Sequence, residues 1–217
     1  GAETVAIDTE IARVVPVIAG LRSAGVKTLI SVDTRKAAVA QAAVGAGAGL
    51  INDVSGFTYD AALSPLAAQQ DVPVCVMHAL GDPATMQVDP QYDNVLLDVY
   101  DFLEQQIDML VASGVARNRI IADPGIGFGK TLEHNLTVLS SLSLFHSLGV
   151  PVLLGASRKR FIGTISRTTQ ADARMAGSLG VALAALSHGV QILRVHDVPQ
   201  TVQAIALWRS AMAGRQV

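Results

Sequence analysis

"SAGVKTLISVD", residues 23–33, closes a helical pattern with glycine, follows it with valine and continues into a short aliphatic run that stops at an aspartate. The same junction returns as "ASGVARNRIIAD" (112–123), "SLGVPVLLGAS" (147–157) and "SHGVQILRVHD" (187–197). A glycine cap followed by β-favouring residues reads as helix, turn, strand. The variants "VGAGAGLINDV" (44–54) and "QQDVPVCVMH" (69–78) keep the order, which predicts six strands near 28–33, 49–53, 72–77, 119–122, 151–155 and 190–195.

Helical patterns fill the intervals. A leading helix is predicted at about 4–22, and in "DNVLLDVYDFLEQQIDMLVASG" (93–114) Val95, Val99, Leu103, Ile107 and Leu110 recur at helical spacing before Gly114 ends the element. Alternating strands and helices give a parallel sheet, and fully apolar strands such as Val152-Leu153-Leu154 suit a sheet buried on both faces. Polar residues decide between barrel and open sheet. Asp33, Asn52-Asp53, His78, Asp123, Ser157-Arg158-Lys159 and Arg194-His196-Asp197 sit at or just after all six strand ends. Open sheets concentrate such residues at one switch point, whereas a closed (β/α)8 barrel brings every strand end to one mouth. The reading is a single TIM-barrel domain over residues 1–217, running from its second helix onward with six of eight strands. The opening "GAETVAIDTE" has no initiator methionine, so about 60 further residues carrying strand, helix and strand are expected before it.

Composition narrows the class. Half of the 217 residues are apolar, enough for a sizeable core, and a net charge of −2 offers no general attraction to nucleic acid or an anionic membrane. The single cysteine, Cys75, lies in an apolar run and reads as a buried, inert thiol in a reducing compartment. No leader pattern is visible, so a cytoplasmic location is expected. The uncharged stretch from residue 175 to Leu193 approaches the length of a membrane span, but Gly177, Gly180, Ser187, His188 and Gly189 divide it into a helix, a turn and a strand. That helix is expected to be buried or to face another subunit.

"DPGIGFGKT" (123–131) falls one residue short of a phosphate-binding loop, because Gly125 and Gly129 enclose three residues instead of four. Asp123 is the better clue. It reads either as a turn former or as a carboxylate accepting two parallel hydrogen bonds from a planar ring with adjacent N–H donors. Gly125 and Gly127 leave room for a flat ligand, and Phe128 can pack against it. Asp33 and Asn52, on adjacent strands, offer mixed donors and acceptors to the other edge of a heterocycle, while Asp53 points the other way. Lys159 and Arg158 follow one strand, and alternation can turn Arg194 and His196 inward together, making an anion site. His78 lacks a second ligand at metal spacing and reads as a hydrogen-bonding residue.

Taken in order, "SVDT", "INDVSG", "MHALGDPATMQ", "DPGIGFGKTLEHN", "SRKRFIG", "GSL" and "RVHDV" resemble the dihydropteroate synthase family over essentially the whole chain. The resemblance implies a transferase of folate biosynthesis that joins 6-hydroxymethyl-7,8-dihydropterin diphosphate to p-aminobenzoate by an SN1-like path, assisted by Mg²⁺. It implies that Asp123, Asn52 and Asp33 grip the pterin edges, that Lys159 meets its carbonyl side, and that Phe128 borders it. Arg194 would cover the pterin face and share the diphosphate with His196, with Lys159, Arg194 and His196 as the catalytic group. Arg158 and Arg160 would lie on the p-aminobenzoate side; many family members have serine where Arg160 stands. The metal-associated asparagine of the family has no counterpart within this sequence. A homodimer is implied, and sulfonamides, as p-aminobenzoate mimics, would compete. Two other outcomes stay open: a silent pterin-binding barrel, and a methyltetrahydrofolate methyltransferase, which would not need the cationic "SRKR" and "RVH" ends.

Overall fold

The computed structural model describes residues 4–81, 86 and 88–216. Within "MHALGDPATMQ", residues 82–85 and Gln87 lie outside the described residues. The strands are β1 (Ser31–Asp33), β2 (Leu50–Asp53), β3 (Val74–Met77), β4 (Ile120–Asp123), β5 (Leu153–Leu154) and β6 (Ile192–Leu193). Helix α1 (Ile7–Ser23) precedes them; α2 (Ala37–Gly45), α3 (Leu63–Gln70), α4 (Val95–Ala112) and α5 (Leu132–Ser140) follow β1 to β4 in turn. Both α6 (Arg160–Ser166) and α7 (Met175–Ser187) follow β5, and α8 (Val198–Ala213) follows β6.

Each β1-to-β4 neighbour pairs in parallel and in chain order, β5 pairs with β6 in parallel, and a parallel bridge between Ala122 and Val152 joins the two ladders. Consecutive parallel strands, each followed by a helical crossover, form the wall of a (β/α)8 TIM barrel, six strands of which are described here. The last two strands are shorter than the aliphatic runs predicted. Pro151 has no N–H to give, so β4 meets it through Ala122 N donating to Pro151 O at 2.9 Å, and β6 continues past its ladder through Arg194 N donating to Leu154 O at 2.9 Å.

The junction glycines explain why each helix stops where its strand must begin. Gly25, Gly114, Gly149 and Gly189 have φ of 84°, 99°, 71° and 85°, a left-handed conformation that any side chain would strain. Helix α4 shows the packing that results. Asn94 Oδ1 accepts from Leu96 N and Leu97 N at its start, and Val99, Leu103, Ile107 and Leu110 are fully buried. Each such side chain contributes about 1.5–3 kcal/mol by leaving water. They meet the outward-facing Ile51, Val74, Val76, Ile120, Ala122, Val152 and Leu154 in one continuous core between sheet and helices. Helix α7 buries only the stripe Ser178, Ala182 and Ala185. Among the described residues, no helix is long and apolar enough to cross a membrane.

Candidate active site

Alternation along the strands builds the site as two rungs inside the barrel. The lower rung is apolar: Leu50, Cys75 and Leu153 pack together with Ile121 and Ile192, one residue from each of β2 to β6. Two residues further along each strand come Asn52, Met77, Asp123, Gly155 and Arg194, with Asp33 at the end of β1. A dry floor thus lies directly beneath a polar rim. Burial pushes the Cys75 thiol up, and the nearby Asp123 carboxylate adds to that, so it stays an unreactive part of the floor.

Asn52 and Asp123 are 6% and 4% exposed. Asp123 Oδ1 accepts from Gly125 N at 2.8 Å. The other oxygen faces the space above Gly155, where a side-chain carbon would stand 3.8 Å from it. Burial raises the Asp123 carboxyl above its ordinary value; Lys159, the Gly125 N–H, Lys130 and Arg194 oppose that rise. Among the described residues, Asn52 Nδ2 is buried with no hydrogen-bond partner. An unpaired buried amide N–H costs about 1–3 kcal/mol, so a donor left open at the same barrel mouth as a buried acceptor marks a place built for something to bind. Asp53 turns to the opposite face, where its carboxylate accepts from Ser55 N, Ser55 Oγ and Phe57 N and shapes the β2 loop.

Lys159, just after β5, donates to Ile126 O, and its Nζ stands 4.5 Å from the centre of the Phe128 ring. Burial lowers its ammonium to about 8, with Asp123 pulling the other way and Arg194 adding to the fall. A cavity of about 610 Å³ opens beside this pair, bordered by Phe128, Thr131, Asn135, Lys159, Arg160 and Phe161. Phe128 also borders a second cavity of about 340 Å³, where the Arg35 guanidinium lies 3.9 Å over the Tyr59 ring.

Arg194 Nη2 reaches Asp33 Oδ2 at 2.7 Å across the opening between β6 and β1. His196 Nδ1 lies 3.0 Å from Ser157 Oγ, so its ring is oriented by the loop after β5. Asp33, Asn52, Asp123, Phe128, Lys159 and Arg194 therefore share the mouth, His196 stands at its rim, and Arg160 faces the larger cavity. Arg158 differs from the expectation: its Nε and Nη2 bond Asp197 at 3.0 and 2.5 Å, and it does not border that cavity. Its backbone is left-handed, with φ of 59°. Gly155, Lys130 and Asn135 carry no signal of their own as site residues in the sequence, because their roles depend on neighbours from other strands. The period-two spacing from Leu153 to Gly155 was the one available signal for the first of these.

The barrel mouth thus carries buried donor and acceptor groups above an apolar floor, with cations at the adjoining strand ends, the arrangement of a barrel enzyme with its site at the strand ends. Residues 1–196 match the pterin binding enzyme family. The dihydropteroate synthase of Escherichia coli (strain K12) is 38% identical over 216 residues, covering 100% of this chain and 76% of its own. The structure of the Xanthomonas albilineans dihydropteroate synthase in complex with 7,8-dihydropteroate superposes with a TM-score of 0.90 at 41% identity, covering 98% of this chain and 78% of that one. The Yersinia pestis dihydropteroate synthase with a sulfonamide drug complex gives a TM-score of 0.92 at 39% identity, covering 97% and 76%. The chain belongs to the pterin binding enzyme family, in its dihydropteroate synthase branch.

Proposed function

We propose that this chain carries the dihydropteroate synthase reaction, joining 6-hydroxymethyl-7,8-dihydropterin diphosphate to p-aminobenzoate. The observation that supports it most directly is an open Asn52 amide at the end of β2 and a buried Asp123 carboxylate at the end of β4, a donor and an acceptor at one mouth. Asp123 accepts from the pterin 2-amino and N3 groups, Asn52 and Asp33 hold the opposite edge, and Phe128 borders the ring. Lys159 exchanges the Ile126 carbonyl for that of the pterin. Arg194 leaves Asp33 to lie over the ring and, with His196, receives the diphosphate.

In the reaction the methylene C–O bond breaks and its electron pair departs with diphosphate. The electron-rich dihydropterin carries the resulting cation until the aniline nitrogen lone pair forms the C–N bond, after which the nitrogen loses a proton to water. Positioning and charge stabilisation supply the rate, and no strong base is needed for a neutral arylamine. Arg160 borders the cavity beside Phe128, the side from which p-aminobenzoate approaches in this reading. Mg²⁺ belongs to the family expectation, yet among the described residues no group of three His, Cys, Asp or Glu side chains can hold a metal ion. Each role above rests on the chain's own residues. A cytoplasmic homodimer, contacting through the exposed small-residue side of α7, completes the reading.

The test is diphosphate release by the full-length protein with both substrates, alongside Asp123→Ala, Lys159→Ala and Arg194→Ala. Release that requires p-aminobenzoate and is lost in the variants is expected. No release, with pterin still bound through Asp123, would instead point to a silent pterin-binding barrel.

A further inference from the structure

The glycine loop after β4 is wrapped around its own lysine. Lys130 is 3% exposed, and its Nζ lies 2.8 Å from His78 Nδ1, 3.0 Å from Gly125 O and 3.2 Å from Phe128 O. Three acceptors match the three protons of an ammonium. Gly125, Gly127 and Gly129, with φ of 69°, 82° and 61°, turn these carbonyls inward. A phosphate loop does the reverse, converging its amide N–H groups on an anion. The loop is also pressed against the end of β3, since a side-chain carbon on Gly125 would stand 1.8 Å from His78 O.

The outer side is tied as well. Tyr92 Oη donates to Gly129 O at 2.7 Å, Asn135 Oδ1 accepts from Gly127 N at 2.6 Å, and Asn135 Nδ2 donates to Lys130 O at 3.2 Å. The ligand-facing groups hang from this frame: Asp123 through Gly125 N, Lys159 through Ile126 O, and Phe128 as a member of the loop. Lys130 also lines the larger cavity, but its Nζ is committed to the three acceptors inside the loop.

We propose that Lys130 is a positioning residue of the pterin site, a buried amine that fixes the glycine loop from within and so sets Asp123, Phe128 and Lys159 relative to one another. The inference rests on the pterin reading above. His78 serves as the partner that keeps the amine in place: burial, and then Lys130, hold its imidazole near a pKa of about 3, so it is neutral and offers Nδ1 as an acceptor while Nε2 carries the hydrogen.

The test uses the full-length protein, 6-hydroxymethyl-7,8-dihydropterin as the calorimetric probe, and ¹⁵N spectra of the histidine rings. Lys130→Met is expected to weaken dihydropterin binding by about tenfold or more, because small misplacements of positioned groups cost one to two decades. It should also release His78 from its single tautomer. Tyr92→Phe, which removes only the tie at Gly129, should weaken binding in the same direction by a smaller factor. A folded Lys130→Met protein that binds as tightly as wild type, with only its Tm lowered, would overturn the inference alone. If Lys130→Met does not fold, unchanged binding by Tyr92→Phe overturns it. Wild-type protein that fails to bind dihydropterin would overturn the pterin reading and this inference together.

Discussion

Arg194 Nη2 stands 2.7 Å from Asp33 Oδ2, so the end of β6 is linked to the end of β1 by side chains. Both are about half exposed, at 56% and 44%, and such a pair contributes only about 0–1 kcal/mol to stability. Its value lies in keeping two ligand-seeking groups satisfied before substrate arrives. Asp33→Asn is therefore expected to leave Tm within a degree or two while raising KM for the pterin substrate, which thermal melts and steady-state kinetics will separate.

Asp123 trades stability for recognition. Its folded carboxyl is raised above the unfolded value, mainly by burial. Between those two values the folded state holds the extra proton, so stability falls as pH rises through that window and stays lower above it. Asp123→Asn keeps an acceptor for Gly125 N and removes the buried charge. The variant is expected to gain in Tm relative to wild type as pH goes from 4 to 8, and to lose dihydropterin binding.

Lys159 sets an alkaline limit. With its ammonium lowered to about 8, chiefly by burial, the cation that meets the pterin carbonyl is present below that pH and lost above it. The kcat/KM for the pterin substrate should fall by about tenfold per pH unit on the alkaline side. Lys159→Met should start lower and lack that limb, which a pH–rate profile will reveal.

Asp53 makes the contrasting case, a buried carboxylate on the outer face. Its oxygens hold Ser55 N, Ser55 Oγ and Phe57 N, and Asp53→Ala leaves buried donors unpaired. A loss of about 2–4 kcal/mol in denaturant unfolding is expected, with KM values for both substrates unchanged in the remaining folded protein.

The strands were legible because one local rule, a helix cap then an aliphatic run, generates all of them, with glycine at the cap except before β3, where Asp71 takes the left-handed position; the helix of residues 95–112 was legible because its period is sustained over five turns. The 3₁₀ segment Leu142–Leu148 was not foreseen. Leu142, Phe145 and Leu148 are buried at a spacing of three, and so short a run gives no stable period to read. Of the site, Asp123, Asn52 and Arg194 could be read from strand ends alone. The Arg158 bonds to Asp197 could not be read that way, since they join residues 39 apart in the chain. Lys130 was hidden by its resemblance to a phosphate-loop lysine, because sequence shows the order of glycines but not which way their carbonyls face.

In the floor of Leu50, Cys75, Ile121, Leu153 and Ile192, three residues, Leu50, Ile121 and Ile192, lie two positions below Asn52, Asp123 and Arg194, groups proposed to hold substrate on the same strands. Folding and chemistry are thereby written on separate storeys of one scaffold. A substitution in the upper storey can redirect what is bound without unsettling the packing that closes the wall, and the lower storey can drift among aliphatic residues without touching specificity. That division lets a barrel of this kind explore new ligands one residue at a time.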